Sequence, residues 1–133
     1  MKRTAILYLV TLAIIIPLDF LFLGVIAKAF FKAEVGDMLG DLNILPAAIF
    51  YPLYATGVLI FVSGSPGTTI QSAAIYGALF GLFAYATFDL TALATLKHWT
   101  WPAAFADVSW GAAVTALSAT AGLAAANWLA PST

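Results

Sequence analysis

The chain contains no cysteine, which excludes disulfides, thiolate metal sites and cysteine nucleophiles together and leaves the redox compartment unmarked. One histidine is too few for a multi-histidine metal site. Charge is scarce: 8% of the 133 residues are charged, against about 25% in an ordinary soluble domain. The formal net charge is -1 and there is no basic tract, so binding to nucleic acid by phosphate neutralisation has no footprint here. Internal repeats, charge runs and low-complexity linkers are missing, which leaves a single domain built from a few segments. HExxH, CxxC, P-loop and GxSxG patterns are missing as well, so no familiar catalytic chemistry or cofactor site announces itself.

What is present is hydrophobicity, at 63% of the residues. A helix needs about 20 apolar residues to cross the hydrocarbon core of a bilayer. The chain offers four such runs, at 4–26, 46–62, 70–93 and 105–129. They predict an all-α polytopic membrane protein, a four-helix transmembrane bundle. The connection Ser63–Thr69 reads Ser-Gly-Ser-Pro-Gly-Thr-Thr, a run of helix breakers short enough to make spans two and three an antiparallel hairpin. Ala27–Leu45 reads as a longer connection, and Ala94–Ala104 as a short one carrying Lys97, His98, Trp99 and Trp101. Pro46 and Pro102 fit helix starts. Pro17 and Pro52 lie inside helices, and each frees a carbonyl that its surroundings must satisfy.

A secretory signal peptide is the rival reading of the N-terminus, since Met1-Lys2-Arg3 precedes an apolar stretch and Ala27-Lys28-Ala29 resembles a cleavage site. The stretch is longer than the usual 7–15-residue apolar region of such peptides and contains Asp19. An even number of spans puts both termini on one side. Lys2 and Arg3 are there, while Lys28, Lys32 and Lys97 are on the other, so the positive-inside rule is nearly tied; weight on the first span predicts cytoplasmic termini.

Asp19 carries the sharpest signal. A carboxylate at membrane depth costs at least about 2.5–3.5 kcal/mol, so such residues face a bundle interior and mark polar sites. At 1.5 Å per residue Asp19 is roughly 22 Å from the start of its span, past the midplane. Asp89, near the far end of span three, and Asp107, at the start of span four, enter from that same side. Tyr51 and Tyr54 lie at comparable depth. Tyr85 precedes Asp89 by one turn and Asp107 precedes Trp110 by three residues, so carboxyls, phenols and an indole N–H converge under a cap of Lys28, Lys97, His98, Trp99 and Trp101. A ligand or proton role is the favoured reading of Asp19, the alternative being a structural one, bonded to Trp110, a tyrosine or backbone opened by Pro17; Asp107 could be only a helix-start carboxylate. Trp99, Trp101 and Trp128 suit interfacial aromatic belts, as does His98 an interfacial position.

Small residues mark the packing faces, which read as distinct from the polar cluster. Gly77 and Gly81 form a small-xxx-small pair, and Gly111, Thr115, Ser118 and Gly122 follow one another at helical spacing. Thr87, Thr91 and Thr95 repeat every four residues, which suits hydroxyls bonded to their own helix backbone.

Leu18-Asp19 with Leu23-Gly24, Phe50-Tyr51 with Tyr54-Ala55, the run Gly77–Thr91 ending Ala-Tyr-Ala-Thr-Phe-Asp-Leu-Thr, Trp101-Pro102 and Asp107-Val108-Ser109-Trp110-Gly111 together resemble a bacterial family of small predicted membrane proteins classed as a domain of unknown function. The resemblance covers nearly the whole chain. Where this chain has Phe88 and Ala92, the family pattern favours tyrosine and asparagine, and both departures argue against an essential polar group at those two positions. The resemblance implies a bacterial inner-membrane location with no established activity or cofactor.

These readings lead to an expected pocket lined by Asp19, Tyr54, Tyr85, Asp89, Asp107 and Trp110, open toward the side away from the termini, with no metal and no cofactor. The expected function is non-enzymatic: binding or handling a lipid or small amphiphile, or assisting a membrane enzyme that does so. A proton-coupled transporter and a membrane enzyme using paired carboxylates are the alternatives. Expected partners are membrane lipids, a small lipophilic ligand, and a second copy of the chain or a membrane enzyme.

Overall fold

A computed structural model describes residues 2–40 and 43–131, and among these every regular element is helical. Four helices are long and apolar enough to cross a membrane: α1 (Lys2–Ile26), α3 (Ile44–Ser63), α4 (Ile70–Thr95) and α5 (Trp101–Leu129). Between the first two lies α2 (Lys28–Val35), a two-turn helix in the stretch whose sequence reads as a connection. Its Phe31 and Val35, one turn apart, are buried against Ala27 and Ala103, with Phe22, Trp99 and Ala106 around them. The helix α4 ends at Thr95, two residues past the apolar run, and α5 starts at Trp101, four residues before its own.

The helix ends follow from local chemistry. Asn43 accepts from the Leu45 N–H at 3.3 Å and starts α3. Thr69 and Ser72 form a reciprocal capping box, each hydroxyl accepting the other's backbone N–H at 3.0 Å, and so start α4. Thr100 caps α5 by accepting from the Ala103 N–H at 3.2 Å, with Pro102 in the first turn, where a missing N–H does no harm. The last turns of α1 and α3 widen to i→i+5 bonds, Ala27 N–H to Phe22 O at 2.7 Å and Gly64 N–H to Leu59 O at 2.8 Å. Gly67, at φ +83°, supplies the left-handed residue that the α3–α4 turn needs.

Packing is closest where glycines face a neighbour. A Cβ on Gly81 would strike the Gly111 carbonyl, and one on Gly77 would lie 3.1 Å from Ala116 Cα, so α4 and α5 touch backbone to backbone. Gly122 does the same for α5 and α1, where a Cβ would meet Thr11. The hydroxyls along these faces serve their own helices: Thr11 donates to Leu7 O at 2.7 Å and Ser118 to Val114 O at 2.7 Å. Thr87, Thr91 and Thr95 donate in the same way to the Phe83, Thr87 and Thr91 carbonyls one turn back. The wide last turn of α3 packs against α4, while α3 also leans on α1. Arg3 joins the two ends of the chain, donating to Ala130 O at 3.2 Å and to Asn127 Oδ1 at 2.6 Å.

Candidate functional site

The polar cluster is organised by two carboxyl centres. At the first, Asp19 on α1 is buried and both of its oxygens are used: Trp110 Nε1 of α5 donates to Oδ1 at 2.7 Å and Tyr51 Oη of α3 donates to Oδ2 at 2.7 Å. Three helices are thereby tied at one point. The Trp110 ring stacks on Phe22 at 4.2 Å with the planes 4° apart, which fixes the direction of its N–H. Because Phe22 begins the widened turn of α1, that irregularity bears directly on the indole that holds Asp19.

At the second centre, Asp89 of α4 is fully buried and its carboxyl meets that of Asp107 on α5. Trp99 Nε1 donates to Asp89 Oδ1 at 3.2 Å. Oδ2 has no donor among the described residues. Two ionised carboxylates offer acceptors only, so their contact becomes a hydrogen bond when one of them carries a proton. Lys28 and Lys97 are exposed, and neither forms an ion pair with these carboxyls. No group of three or more metal-ligating side chains occurs among the described residues.

Beside both centres lies a cavity of about 400 Å³ lined by Asp19, Leu23, Phe50, Tyr51, Tyr54, Ala84, Tyr85, Phe88 and Asp107. Its size falls within the ordinary range for small-molecule sites. Its rim is apolar and exposed, with Leu23 on α1, Phe50 on α3 and Phe88 on α4; Tyr85 and Asp107 stand among its few polar groups. Tyr54 Oη is bonded to Thr115 Oγ1 at 2.7 Å, and its ring meets Tyr85 edge-on at 6.2 Å. A Cβ on Gly111 would run into the Tyr85 ring, so the glycine makes the seat for that phenol. Another groove, of about 260 Å³ between α1 and α3, is lined by apolar residues with Tyr51 and has little to orient a ligand.

Residues 4–124 match the family described as "Predicted membrane protein (DUF2177)". The chain belongs to that family. No curated protein and no solved structure matches it.

Of the six residues singled out in this DUF2177 chain, Asp19, Tyr54, Tyr85 and Asp107 line the cavity. Asp89 stands behind Asp107, and Trp110 holds Asp19 from outside the lining. Tyr51, Phe50, Phe88, Leu23 and Ala84 complete the walls; Tyr51 was legible from its depth, the other four only as apolar residues on helices apolar all round. The expected cap is different: Lys28, Lys97, His98 and Trp101 are exposed, with His98 Nδ1 3.7 Å from Asp37, and α2 covers this end instead. Trp99 is no simple belt residue, since its N–H goes to Asp89. The packing stripe and the polar cluster are also not distinct, because Thr115 bonds Tyr54 and Gly111 seats Tyr85.

Proposed function

We propose that this membrane protein binds one amphiphile in the cavity between its helices, with the polar end of the ligand at Asp107 and Tyr85 and its apolar part leaving past Phe50 and Phe88. The observation that carries this reading is the cavity itself, aromatic at the rim and carboxyl-bearing inside. Space between membrane-spanning helices with an apolar rim suits entry from the lipid phase. No lysine or arginine lines it, so an anionic head group would face carboxyls without a counter-charge. A hydroxyl or amine, which donates hydrogen bonds, fits the acceptors present. The bacterial inner membrane is the proposed setting, with both termini cytoplasmic.

Native mass spectrometry of the detergent-purified protein, supplied with a cell lipid extract, tests the reading. Wild type should retain a hydroxyl- or amine-bearing amphiphile. Ala84→Phe, which fills the cavity, should reduce retention more than tenfold, and Tyr85→Phe should reduce it about two- to tenfold, the value of one hydrogen bond. Retention unchanged by Ala84→Phe in a folded variant would overturn it.

The Asp89–Asp107 contact, with one oxygen lacking a donor, favours a second reading: a pair that takes up and passes on a proton during transport. In that case Asp89→Asn in proteoliposomes should abolish proton-coupled uptake while leaving amphiphile retention intact.

A further inference from the structure

The opposite end of the bundle, where the two ends of the described chain lie, carries a different chemistry. A cavity of about 140 Å³ is lined there by Arg3, Thr4, Ser63 and the loop Gly64–Gly67. We infer that it is a second site, one that takes a phosphate group.

Three features point to an anionic oxygen ligand. Ser63 is 2% exposed and its Oγ has no hydrogen-bond partner. The Gly64 N–H bonds to Leu59 O in the widened turn, and Ser63, at the end of that turn, lines the cavity. A buried hydroxyl without a partner is costly, and a ligand oxygen would satisfy it. Next, among the described residues the Arg3 guanidinium is held by neutral acceptors, Ala130 O and Asn127 Oδ1, and forms no ion pair, so its fork is oriented and further N–H donors are left over. Finally, the acidic residues among the described ones, Asp19, Glu34, Asp37, Asp89 and Asp107, all belong to the other half of the molecule, whereas Lys2 adjoins Arg3. The loop adds backbone donors. Gly64 and Thr68 use their N–H groups internally, and those of Ser65 and Gly67 have no acceptor among the described residues.

A neutral water cluster could satisfy Ser63, but it would gain nothing from the charge of the oriented guanidinium. The site sits where spanning helices end, which is the depth of phospholipid phosphates, so the phosphate can come from a lipid head group or from solution. It is separate from the amphiphile cavity, which has carboxyls and no cation.

The full chain in detergent is titrated with short-chain phosphatidylglycerol, with diacylglycerol as a phosphate-free control and with inorganic phosphate, and bound species are counted by native mass spectrometry. Phosphatidylglycerol should bind, with Arg3→Gln weakening it at least tenfold and Ser63→Ala severalfold, while diacylglycerol binding is untouched by either change. If inorganic phosphate binds with the same dependence on Arg3 and Ser63 and phosphatidylglycerol does not, the site stands and its ligand is the free ion. Should Arg3→Gln fail to fold, Ser63→Ala decides alone, because removing an unpartnered hydroxyl leaves the fold intact. Absence of binding by both phosphate compounds, or binding indifferent to Ser63→Ala and Arg3→Gln, overturns the inference.

Discussion

Asp19 is satisfied by two donors from two other helices, one on each carboxyl oxygen. Asp19→Leu would gain hydrophobicity and leave the Trp110 indole and the Tyr51 phenol without acceptors. Each unpaired donor costs about 1–3 kcal/mol, so the variant should lose roughly 2–5 kcal/mol and melt well below wild type in detergent. A melting temperature equal to the wild type's would show that the carboxylate is not structurally required. Asp89 is the contrasting case, since one oxygen lacks a donor. In Asp89→Asn the amide can donate to the Asp107 carboxyl while its oxygen keeps the Trp99 bond, so stability should be unchanged or rise by about 1 kcal/mol, read by the same thermal melt. A marked loss would mean that the carboxyl pair already holds a proton that the amide cannot replace. The sequence singled out both aspartates because intramembrane carboxyls are rare and expensive. It could not distinguish the satisfied one from the unsatisfied one, which depends on where Trp99, Trp110 and Tyr51 point.

Among the elements, α4 and α5 owe their intimacy to glycine. Gly81→Val would put a branched side chain where the Gly111 carbonyl and Thr115 now lie, forcing the helices apart and unseating Tyr85 from Gly111. Overpacking of this kind costs about 1–3 kcal/mol, and the variant should also lose amphiphile retention together with its stability. Gly24→Ala, where a Cβ meets nothing within 4 Å, is the control and should melt as wild type does. The small-xxx-small spacing made this contact legible in advance. The helix α2 was not, because its eight residues are too few to span and lie within a connection holding charged residues on both sides. Its only sequence signal is Phe31 and Val35, four apart. Their burial depends on Ala103 and Trp99, which arrive some seventy residues later in the chain, and Thr100 ties the same end by donating to Glu34 Oε1 at 2.8 Å.

For the whole molecule, four spans and the Arg3 bonds to Ala130 and Asn127 put the two ends of the described chain on one side of the bundle. Reporter fusions at the N-terminus and after residue 131 should therefore report the same compartment, and the expected compartment is the cytoplasm, on the strength of Lys2 and Arg3. Opposite compartments would contradict the span count; a shared external location would reverse the orientation and leave the fold as it is. The two proposed sites then belong to different depths, the carboxyl-bearing cavity in the half away from the termini and the Arg3–Ser63 site at the terminal end.

Hydrophobic run length by itself determined the helical class, the number of spans and their alternation, because backbone in a bilayer must satisfy its own hydrogen bonds and so has few alternatives to a helix. Rarity of charge determined which residues were worth watching. What only the tertiary structure decided is which of them meet. Helices uniformly apolar on every face carry no record of their rotation, so whether Asp19 faces Trp110, whether Phe50 and Phe88 form a rim, and whether Ser63 is left without a partner are settled by how glycine contacts and widened turns set each helix against the next.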